Sequence, residues 1–205
     1  MDPRFLAHNT HHESAGLFRS RDPQLRVVAR QPLVFEPPLL DVLPERTPGI
    51  YTVGGGRQVG KTTLLKLWMA QLLDRGVSPA RITYLTGELI DDHHTLIRLI
   101  EEAAEPSAGY VLDFLIVDEI TYISGWDRAV KFAADAGMLE RTVLVLTGSD
   151  LALVRDARMT FPGRRGTADR VDFELHPVSF REAVDLKTGG ELSDRLAAST
   201  DVIDG

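Results

Sequence analysis

The chain has 205 residues, of which 43% are apolar and 26% are charged, and it contains 17 Gly, 11 Pro and no Cys. This ordinary globular composition excludes collagen-like, low-complexity and disulfide-stapled proteins. With 30 acidic and 23 basic residues the formal net charge is -7, which does not support a surface built to bind DNA along its whole length.

Sequence features also bear on the compartment. The longest wholly apolar runs, such as Phe114–Val117, are far shorter than the ~20 residues that span a bilayer, so no membrane partner is expected. The first residues lack the apolar stretch of a secretory signal. The absence of cysteine fits a reducing compartment, and we therefore expect a cytoplasmic protein.

The N-terminal part of the chain carries weak structural signals. Residues 1–22 are polar and show no apolar period, which predicts a mobile or loosely docked N-terminal arm. The triplet His11, His12 and Glu13 has no second cluster of ligands, so an unstructured tail is favoured over a metal site. Residues Leu25–Phe35 alternate in part, which predicts a short lead-in strand.

From Pro48 onward the hydrophobic period alternates between strand-like and helix-like, as in parallel βαβ units. Five strands are predicted, at Gly49–Gly54, Arg81–Leu85, Phe114–Val117, Thr142–Leu146 and Arg170–Leu175. The helical spacing of Leu64, Trp68 and Leu72 predicts a first long helix that ends at Gly76, and the spacing of Trp126, Ala129, Val130 and Ala133 predicts another that ends at Gly137. Two more helices are predicted, one capped by Asp91 or Asp92 and one that Ser179 opens with a capping-box spacing. The predicted fold class is α/β, with helices on both faces of a parallel five-stranded sheet.

The same pattern suggests how the chain is divided. Residues 23–186 are expected to form one domain, because the alternating elements run without interruption by a linker. Residues 187–205 contain glycine and are weakly periodic, which predicts the start of a truncated lid or linker.

A phosphate-binding loop is predicted between the first strand and the first long helix. Gly55, Gly60, Lys61 and Thr62 satisfy the pattern G-x-x-x-x-G-K-[ST]. Glycines let successive backbone N–H groups face phosphate oxygens, the lysine reaches the β- and γ-phosphates, and the Thr62 hydroxyl binds Mg²⁺. The predicted nucleotide-binding residues are Gly55, Gly56, Arg57, Gln58, Val59, Gly60, Lys61, Thr62 and Thr63.

Two adjacent acids end the third predicted strand. In the sequence FLIVDEI, Asp118 and Glu119 come to the carboxyl edge of the sheet, where open α/β sheets bind their ligands. Asp118 is expected to hold the metal ion, and Glu119 is expected to orient and activate the attacking water. A glutamate in this place argues for hydrolysis over transfer to a small molecule.

Two further motifs have competing interpretations. Ser149, in TGSD at the end of the fourth strand, is a candidate to bond the γ-phosphate or the attacking water, or else to cap a helix. Arg164 and Arg165, in FPGRRG, suit an arginine finger that acts within the chain or across a subunit contact. A plain basic loop and a nucleic-acid contact are the alternatives for this stretch.

Other candidate residues have simpler explanations. The run Asp91, Asp92, His93 and His94 is better explained as a solvated helix start than as a metal site, because adjacent ligands on one turn point in different directions. Trp126 and Phe132 are expected in the core rather than as groups that stack on bases.

Taken in order, the segments GGGRQVGKTTLL, FLIVDEITYISGW, VLTGSD, FPGRRG and HPVSFREA resemble the bacterial and archaeal P-loop ATPases of the AAA-like type. The resemblance extends from about Leu33 to Val184. It implies an additional-strand sheet of AAA and RecA type, in which the strand of TVLVL separates the loop strand from the Asp-Glu strand. ATP and Mg²⁺ are the implied ligands.

The resemblance also implies roles for individual residues. Lys61, Thr62, Asp118 and Glu119 would bind and hydrolyse the nucleotide, Ser149 would be the sensor, and Arg164 or Arg165 would be the finger. Members of this family commonly continue into a lid and a C-terminal domain, so a missing C-terminal region is expected to carry partner specificity.

The leading interpretation is therefore an ATP-hydrolysing module that couples energy to a larger protein. A nucleotide-dependent switch or binding module without significant hydrolysis is the first alternative. A P-loop small-molecule kinase is the second, which Glu119 beside Asp118 disfavours.

Overall fold

Five parallel strands form the sheet at the centre of the fold. The structure is a computed structural model that describes residues 2–104, 111–149, 157 and 159–189. The strands are β1 (Gly49–Gly54), β2 (Ile82–Thr86), β3 (Asp113–Asp118), β4 (Thr142–Thr147) and β5 (Asp172–Glu174). Their order in the sheet is β2-β3-β4-β1-β5, and every pairing is parallel. The predicted fold class and the position of β4 between β3 and β1 are confirmed.

The three inner strands are buried along their whole length. Each residue of β1, β3 and β4 is buried, as expected for a parallel sheet that is covered on both faces. Because these neighbours run in the same direction, their carboxyl ends meet at one edge of the sheet. The loop after β1, the acids that end β3 and the polar residues that end β4 therefore come together there.

Helices cover both faces of the sheet. They are α1 (Phe18–Arg21), α2 (Pro23–Ala29), α3 (Lys61–Asp74), α4 (His93–Ala103), α5 (Trp126–Asp135) and α6 (Phe180–Thr188). One core cluster joins α3 to one face, through residues such as Leu64 and Trp68. The second cluster joins α4 and α5 to the other face, through residues such as Ile100 and Val130.

The helix starts agree with the sequence signals. Asp92 caps α4 by accepting a hydrogen bond from the Thr95 N–H. Ser179 and Glu182 form a capping box in which the Ser179 side chain accepts from the Glu182 N–H and the Glu182 carboxylate accepts from the Ser179 N–H. At the other end of α3, Gly76 has a left-handed backbone, as expected for a residue that ends a helix.

Residues 2–22, here called the N-terminal segment, pack against the sheet. The prediction of a mobile arm is wrong, because Phe5, His11 and Phe18 are buried. Most of the segment consists of 3-10 helices, which carry no regular apolar period. The sequence pattern therefore gave no signal for a segment that nevertheless contributes to both core clusters.

Polar side chains attach the N-terminal segment to β2, which is an edge strand of the sheet. Asn9 donates to the Tyr84 carbonyl and accepts from the Tyr84 N–H, both at 2.8 Å. The Nε2 atoms of His11 and His12 each lie 2.8 Å from the Ile82 carbonyl oxygen. An edge strand presents unpaired backbone groups, and these side chains satisfy them. Burial lowers the pKa of His11 to about 4.

Two smaller predictions also differ from the structure. The lead-in strand is wrong, because Pro23–Ala29 is helical and Asp22 caps it by accepting from two backbone N–H groups. Phe132 is 51% exposed and is not a core residue, whereas Trp126 packs on Phe161 as expected. Within the part of the chain that is described, no group of His, Asp and Glu residues is arranged to hold a metal ion.

Most of the predicted lid or linker, residues 190–205, lies outside the described residues. Lys187 and Thr188 belong to α6, which ends at a left-handed Gly189. Among the described residues, no helix combines the length and the apolar character needed to cross a bilayer.

We expect Asn9→Ala to lower the free energy of unfolding by about 2–4 kcal/mol, because the Tyr84 N–H and C=O then stay buried without partners. Equilibrium unfolding in urea measures this. Glu13→Ala is the control, since Glu13 is 71% exposed and its ion pair with Arg21 lies at the surface. An Asn9→Ala protein as stable as the Glu13→Ala protein would contradict the attachment.

Candidate functional site

The loop that joins β1 to α3 has the backbone of a phosphate-binding loop. A Cβ atom at Gly55 would lie 2.5 Å from the Leu175 carbonyl oxygen, so only glycine lets the loop pass the end of β5. Gly60 has a left-handed backbone with φ 99°, and so does Gln58 with φ 61°. These left-handed residues turn the chain back on itself between the strand and the helix.

Helix α3 begins at Lys61, directly after this loop. Its N-cap is Gly60, which has no side chain to cap the first turn. The first N–H groups of a helix lack intrahelical partners and carry the positive end of the helix dipole, so they favour an anion at this place. The backbone therefore fits the binding of phosphate groups.

The other predicted loop residues differ in their surroundings. Gly56, Arg57 and Gln58 are exposed, whereas Val59 packs against the core. The Thr63 hydroxyl accepts a hydrogen bond from the Gln24 side chain at 2.8 Å, so this side chain is engaged with α2. A nucleotide contact of Thr63 would therefore use its backbone N–H.

Lys61 brings the loop together with the ends of β3 and β4. Its ammonium group is buried and donates to the carbonyls of Gly55 at 3.1 Å and of Gly56 at 2.9 Å. The same nitrogen lies 3.4 Å from the Ser149 hydroxyl and 3.6 Å from a carboxylate oxygen of Glu119. Lys61, Ser149 and Glu119, which were predicted from three separate motifs, thus lie together.

Asp118 is a buried carboxylate that accepts hydrogen bonds from three hydroxyl groups. Its Oδ2 atom accepts from Thr62 at 2.7 Å and from Tyr84 at 2.6 Å. Its Oδ1 atom accepts from Thr147. Mg²⁺ prefers hard oxygen donors, and the Thr62 hydroxyl beside the Asp118 carboxylate supplies two of them. These residues fit the metal ion that the sequence predicts.

Glu119 has a left-handed backbone with φ 53°, which is unusual for a residue other than glycine. Its N–H donates to the Thr147 hydroxyl at 3.0 Å. Its carboxylate accepts from the Ser149 N–H at 3.0 Å and from the Ser149 hydroxyl at 2.5 Å. Ser149, predicted as a sensor, thus contacts Glu119 directly. The alternative role of Ser149, to cap a following helix, concerns residues 150–156, which lie outside the described residues.

A cavity of about 430 Å³ opens beside Glu119. Its wall consists of Arg57, Glu119, Thr121, Tyr122 and Ser149. Arg57, which the loop motif marks only as a variable position, is thus the arginine that shares a cavity with the two polar residues at the ends of β3 and β4.

The two candidate finger arginines lie elsewhere. Arg165 donates to the Ile50 carbonyl at 3.1 Å and forms a 2.6 Å ion pair with Asp172, which ties its turn to β1 and β5. Arg164 forms a 2.5 Å ion pair with Asp135 at the end of α5. The structure brings neither one to Lys61 or Glu119, so a finger acting within the chain is not supported.

Sequence reasoning missed three residues of the site. Tyr84 lies within the predicted second strand and Lys66 within the helix after the loop, and neither was given a role; Thr147 directly precedes the TGSD glycine but was not singled out as Ser149 was. Burial and the neighbouring Asp118 raise the pKa of Tyr84, and burial lowers the pKa of Lys66 despite its contact with Asp22. Thr147 carried a usable signal, because it ends a strand at the binding edge of the sheet.

A family model described as an AAA domain matches residues 47–184. The chain belongs to this family. The resemblance to AAA-type P-loop ATPases is therefore confirmed. A search of curated proteins found no match.

Three solved structures are similar to this chain at low sequence identity. The Aeropyrum pernix ORC1 protein in complex with DNA is 14% identical, with a TM-score of 0.50, over 94% of this chain and 50% of that one. Cdc6p from Pyrobaculum aerophilum is 18% identical, with a TM-score of 0.49, over 83% and 48%. AMPPCP-bound DnaA from Aquifex aeolicus is 16% identical, with a TM-score of 0.44, over 83% and 50%. The chain thus spans about half the length of these proteins.

Gly87→Ala should destabilise the AAA domain at its binding edge, because the added Cβ would lie 2.3 Å from the Glu119 carbonyl oxygen. We expect the free energy of unfolding to fall by about 1–3 kcal/mol, as measured by urea denaturation. Gly16→Ala is the matched control, since nothing lies within 4 Å of a Cβ there. Equal stability of the two variants would mean that Gly87 does not approach Glu119 in solution.

Proposed function

We propose that this AAA domain binds ATP with Mg²⁺ and hydrolyses it, as the energy-coupling module of a larger protein. One observation carries the proposal: the Lys61 ammonium and the Thr62 hydroxyl at the start of α3 converge with the carboxylates of Asp118 and Glu119 at the end of β3. Fixed charges of this kind, placed where phosphate charge develops, are the main source of catalysis in phosphoryl transfer.

Lys61 is proposed to bind the β- and γ-phosphates. Its ammonium group now donates to the carbonyls of Gly55 and Gly56, which are neutral acceptors. Phosphate oxygens carry full charge and make stronger hydrogen bonds with an ammonium group, so exchange of one set of acceptors for the other is favourable. The exposed N–H groups of the loop and the start of α3 would bind the remaining oxygens.

Thr62 and Asp118 are proposed to hold Mg²⁺. The ion supplies charge neutralisation at the phosphate oxygens when it is bound. Within the chain, the Thr62 hydroxyl and the Asp118 carboxylate already lie 2.7 Å apart. The two oxygen donors therefore need little rearrangement to face one cation together.

Glu119 is proposed to accept the proton of the attacking water. As the water oxygen bonds to the γ-phosphorus, the bond from that phosphorus to the bridging oxygen breaks and the proton passes to the Glu119 carboxylate. In the structure both oxygens of this carboxylate accept from Ser149. Each of these oxygens keeps a second lone pair that can accept from a water molecule, so Ser149 orients the carboxylate and couples the end of β4 to the state of Glu119.

A switch without hydrolysis is the second candidate, and the contact between Glu119 and Ser149 is the observation that favours it. If this contact persisted with nucleotide bound and held the carboxylate away from the γ-phosphate, Glu119 would not activate the attacking water. Phosphate release in the presence of excess ATP separates the two functions. Release without any added acceptor would also exclude the third alternative, a small-molecule kinase.

DNA is a further candidate partner. The basic stretch that was a candidate for DNA contact is largely engaged within the chain, since Arg165 pairs with Asp172 and Arg164 with Asp135. Arg170 lies over the Phe173 ring. Together with the net charge of -7, these contacts disfavour DNA as a direct partner of the described surface.

We expect Lys61→Ala to abolish nucleotide binding and Glu119→Gln to preserve binding while turnover falls by about 10²-fold or more, because the amide cannot accept a proton. Fluorescent-nucleotide titration measures binding, and steady-state phosphate release measures turnover.

Lys131→Ala and Glu140→Gln are the matched controls for this pair, because both side chains lie on exposed residues away from the loop. Wild-type turnover and affinity are expected in both. Equal residual turnover in the Lys61→Ala, Glu119→Gln and wild-type proteins would refute the assignment.

If Arg164 acts as a finger, it acts across a contact between copies of the chain. Turnover per chain should then rise with protein concentration, and Arg164→Ala should reduce turnover by about 10³-fold with little change in affinity. A mixture of the Arg164→Ala and Glu119→Gln proteins should regain activity, because each supplies the group that the other lacks.

Arg128→Ala is the control for the finger, since Arg128 is an exposed arginine on α5, the helix that also carries Asp135. A mixture no more active than its components, together with a turnover per chain that is independent of concentration, would reject the finger across subunits.

A further inference from the structure

Among the described residues, the hydroxyl group of Tyr84 makes one polar contact, and that contact is with the proposed metal carboxylate. Tyr84 pairs with Ile116 in the register of β2 and β3, and Asp118 is two residues further along. Side chains two residues apart on a strand lie on the same face, so the tyrosine reaches along the sheet to the end of β3. Its hydroxyl donates to Asp118 Oδ2 at 2.6 Å.

The other donors to Asp118 have different positions or tasks. Thr62 donates to the same oxygen and is itself a proposed ligand of the metal ion. Thr147 donates to the opposite oxygen and also accepts from the Glu119 N–H. Tyr84 is therefore the donor that fixes the Oδ2 side of the carboxylate without taking another part in the site.

A buried ion pair holds the ring of Tyr84 in place. The Lys66 ammonium lies 3.7 Å from the ring centroid, 3.2 Å from the Asp22 carboxylate, and 2.6 Å from the His8 carbonyl oxygen to which it donates. Lys66 and Asp22 are 3% and 1% exposed at their side chains. A desolvated ammonium group over an aromatic face is strongly attracted to it.

The backbone of Tyr84 is fixed by the same N-terminal segment. Asn9 accepts from its N–H and donates to its carbonyl. A cavity of about 300 Å³ lies between this segment and the site, and its wall includes His8, Asp22, Lys66, Tyr84 and Asp118. The segment therefore reaches the proposed metal carboxylate through one side chain, which it holds at both the backbone and the ring.

We propose that Tyr84 is a positioning residue that holds the Asp118 carboxylate in the orientation that binds Mg²⁺, and that the N-terminal segment holds Tyr84 through Asn9 and Lys66. The inference rests on the proposed function, because it assigns the support of that same site. It makes residues 2–22 part of the nucleotide site rather than an appendage to the fold.

Tyr84→Phe tests the inference, because it removes the hydroxyl group and keeps the buried ring. The measurement is the affinity for a fluorescent ATP analogue as Mg²⁺ is titrated, together with the affinity in EDTA. We expect the Mg²⁺ concentration for half-maximal effect to rise about 10-fold or more, the equivalent of one hydrogen bond to a charged group. The affinity in EDTA should stay within about twofold of the wild type, since Lys61 and the loop are untouched.

Tyr51→Phe is the matched control. Tyr51 is also buried, in β1, and its hydroxyl donates at 2.7 Å to the Thr47 carbonyl, before the start of the strand and away from the loop that follows it. Tyr51→Phe loses one hydrogen bond, as Tyr84→Phe does. Its nucleotide affinity should depend on Mg²⁺ as that of the wild type does. Phosphate release should also differ between the two variants: Tyr84→Phe should lose turnover at low Mg²⁺ and regain it at high Mg²⁺, whereas Tyr51→Phe should match the wild type.

The outcomes separate the two proposals. A wild-type protein that binds no nucleotide with Mg²⁺ would refute the proposed function itself. A wild-type protein that binds with Mg²⁺, together with a Tyr84→Phe protein indistinguishable from Tyr51→Phe, would overturn the inference and leave the proposed function standing.

The part played by the N-terminal segment needs a second variant. Asp22→Asn with Lys66→Met removes both charges of the ion pair, and asparagine still caps α2. We expect it to raise the Mg²⁺ requirement, and adding Tyr84→Phe should raise it no further, since Lys66 acts through Tyr84. If the two changes instead raised the Mg²⁺ requirement independently, so that their fold-changes multiplied, Lys66 would not act through Tyr84 and this part of the proposal would be overturned. Asn9→Ala, which leaves the ion pair intact, is measured in the same way and decides the question if the charge-free variant does not fold.

Discussion

The site depends on a carboxylate that is buried at the end of β3. A carboxyl group without solvent needs hydrogen-bond donors on both oxygens, and Asp118 receives them from Thr62, Tyr84 and Thr147. The three donors come from α3, β2 and β4, so the position of one side chain requires the correct arrangement of three elements around β3. The sheet order, with β3 between β2 and β4, makes this arrangement possible.

The strand order also decides which charged groups lie near Asp118. Because β4 lies between β3 and β1, Ser149 after the end of β4 contacts both Lys61 of α3 and Glu119, which follows β3. The left-handed backbone of Glu119 turns its carboxylate toward β4, and Gly87 leaves room for the Glu119 carbonyl. A backbone in a sparsely populated conformation at this place is typical of functional residues, and packing on both sides maintains it.

The N-terminal segment solves a structural problem and supports the site at the same time. As an edge strand, β2 would expose backbone groups at Ile82 and Tyr84, and the side chains of Asn9, His11 and His12 satisfy them. The same attachment places Asp22 beside Lys66, on the helix face four residues beyond Thr62. Protection of the sheet edge and support of the proposed metal carboxylate thus use one set of contacts.

The sequence by itself determined the parallel sheet, the phosphate-binding loop and the acids at the end of β3. These features depend on residue types at short, fixed spacings, such as Gly60, Lys61 and Thr62, and on apolar runs that identify the inner strands. The tertiary structure alone decided the roles of Asn9, Lys66, Tyr84 and Arg165. Asn9 and Tyr84 are 75 positions apart, and such a contact leaves no periodic trace in either segment. A polar side chain in an irregular segment and a tyrosine in a buried strand look like a tail and a core residue until the fold brings them together.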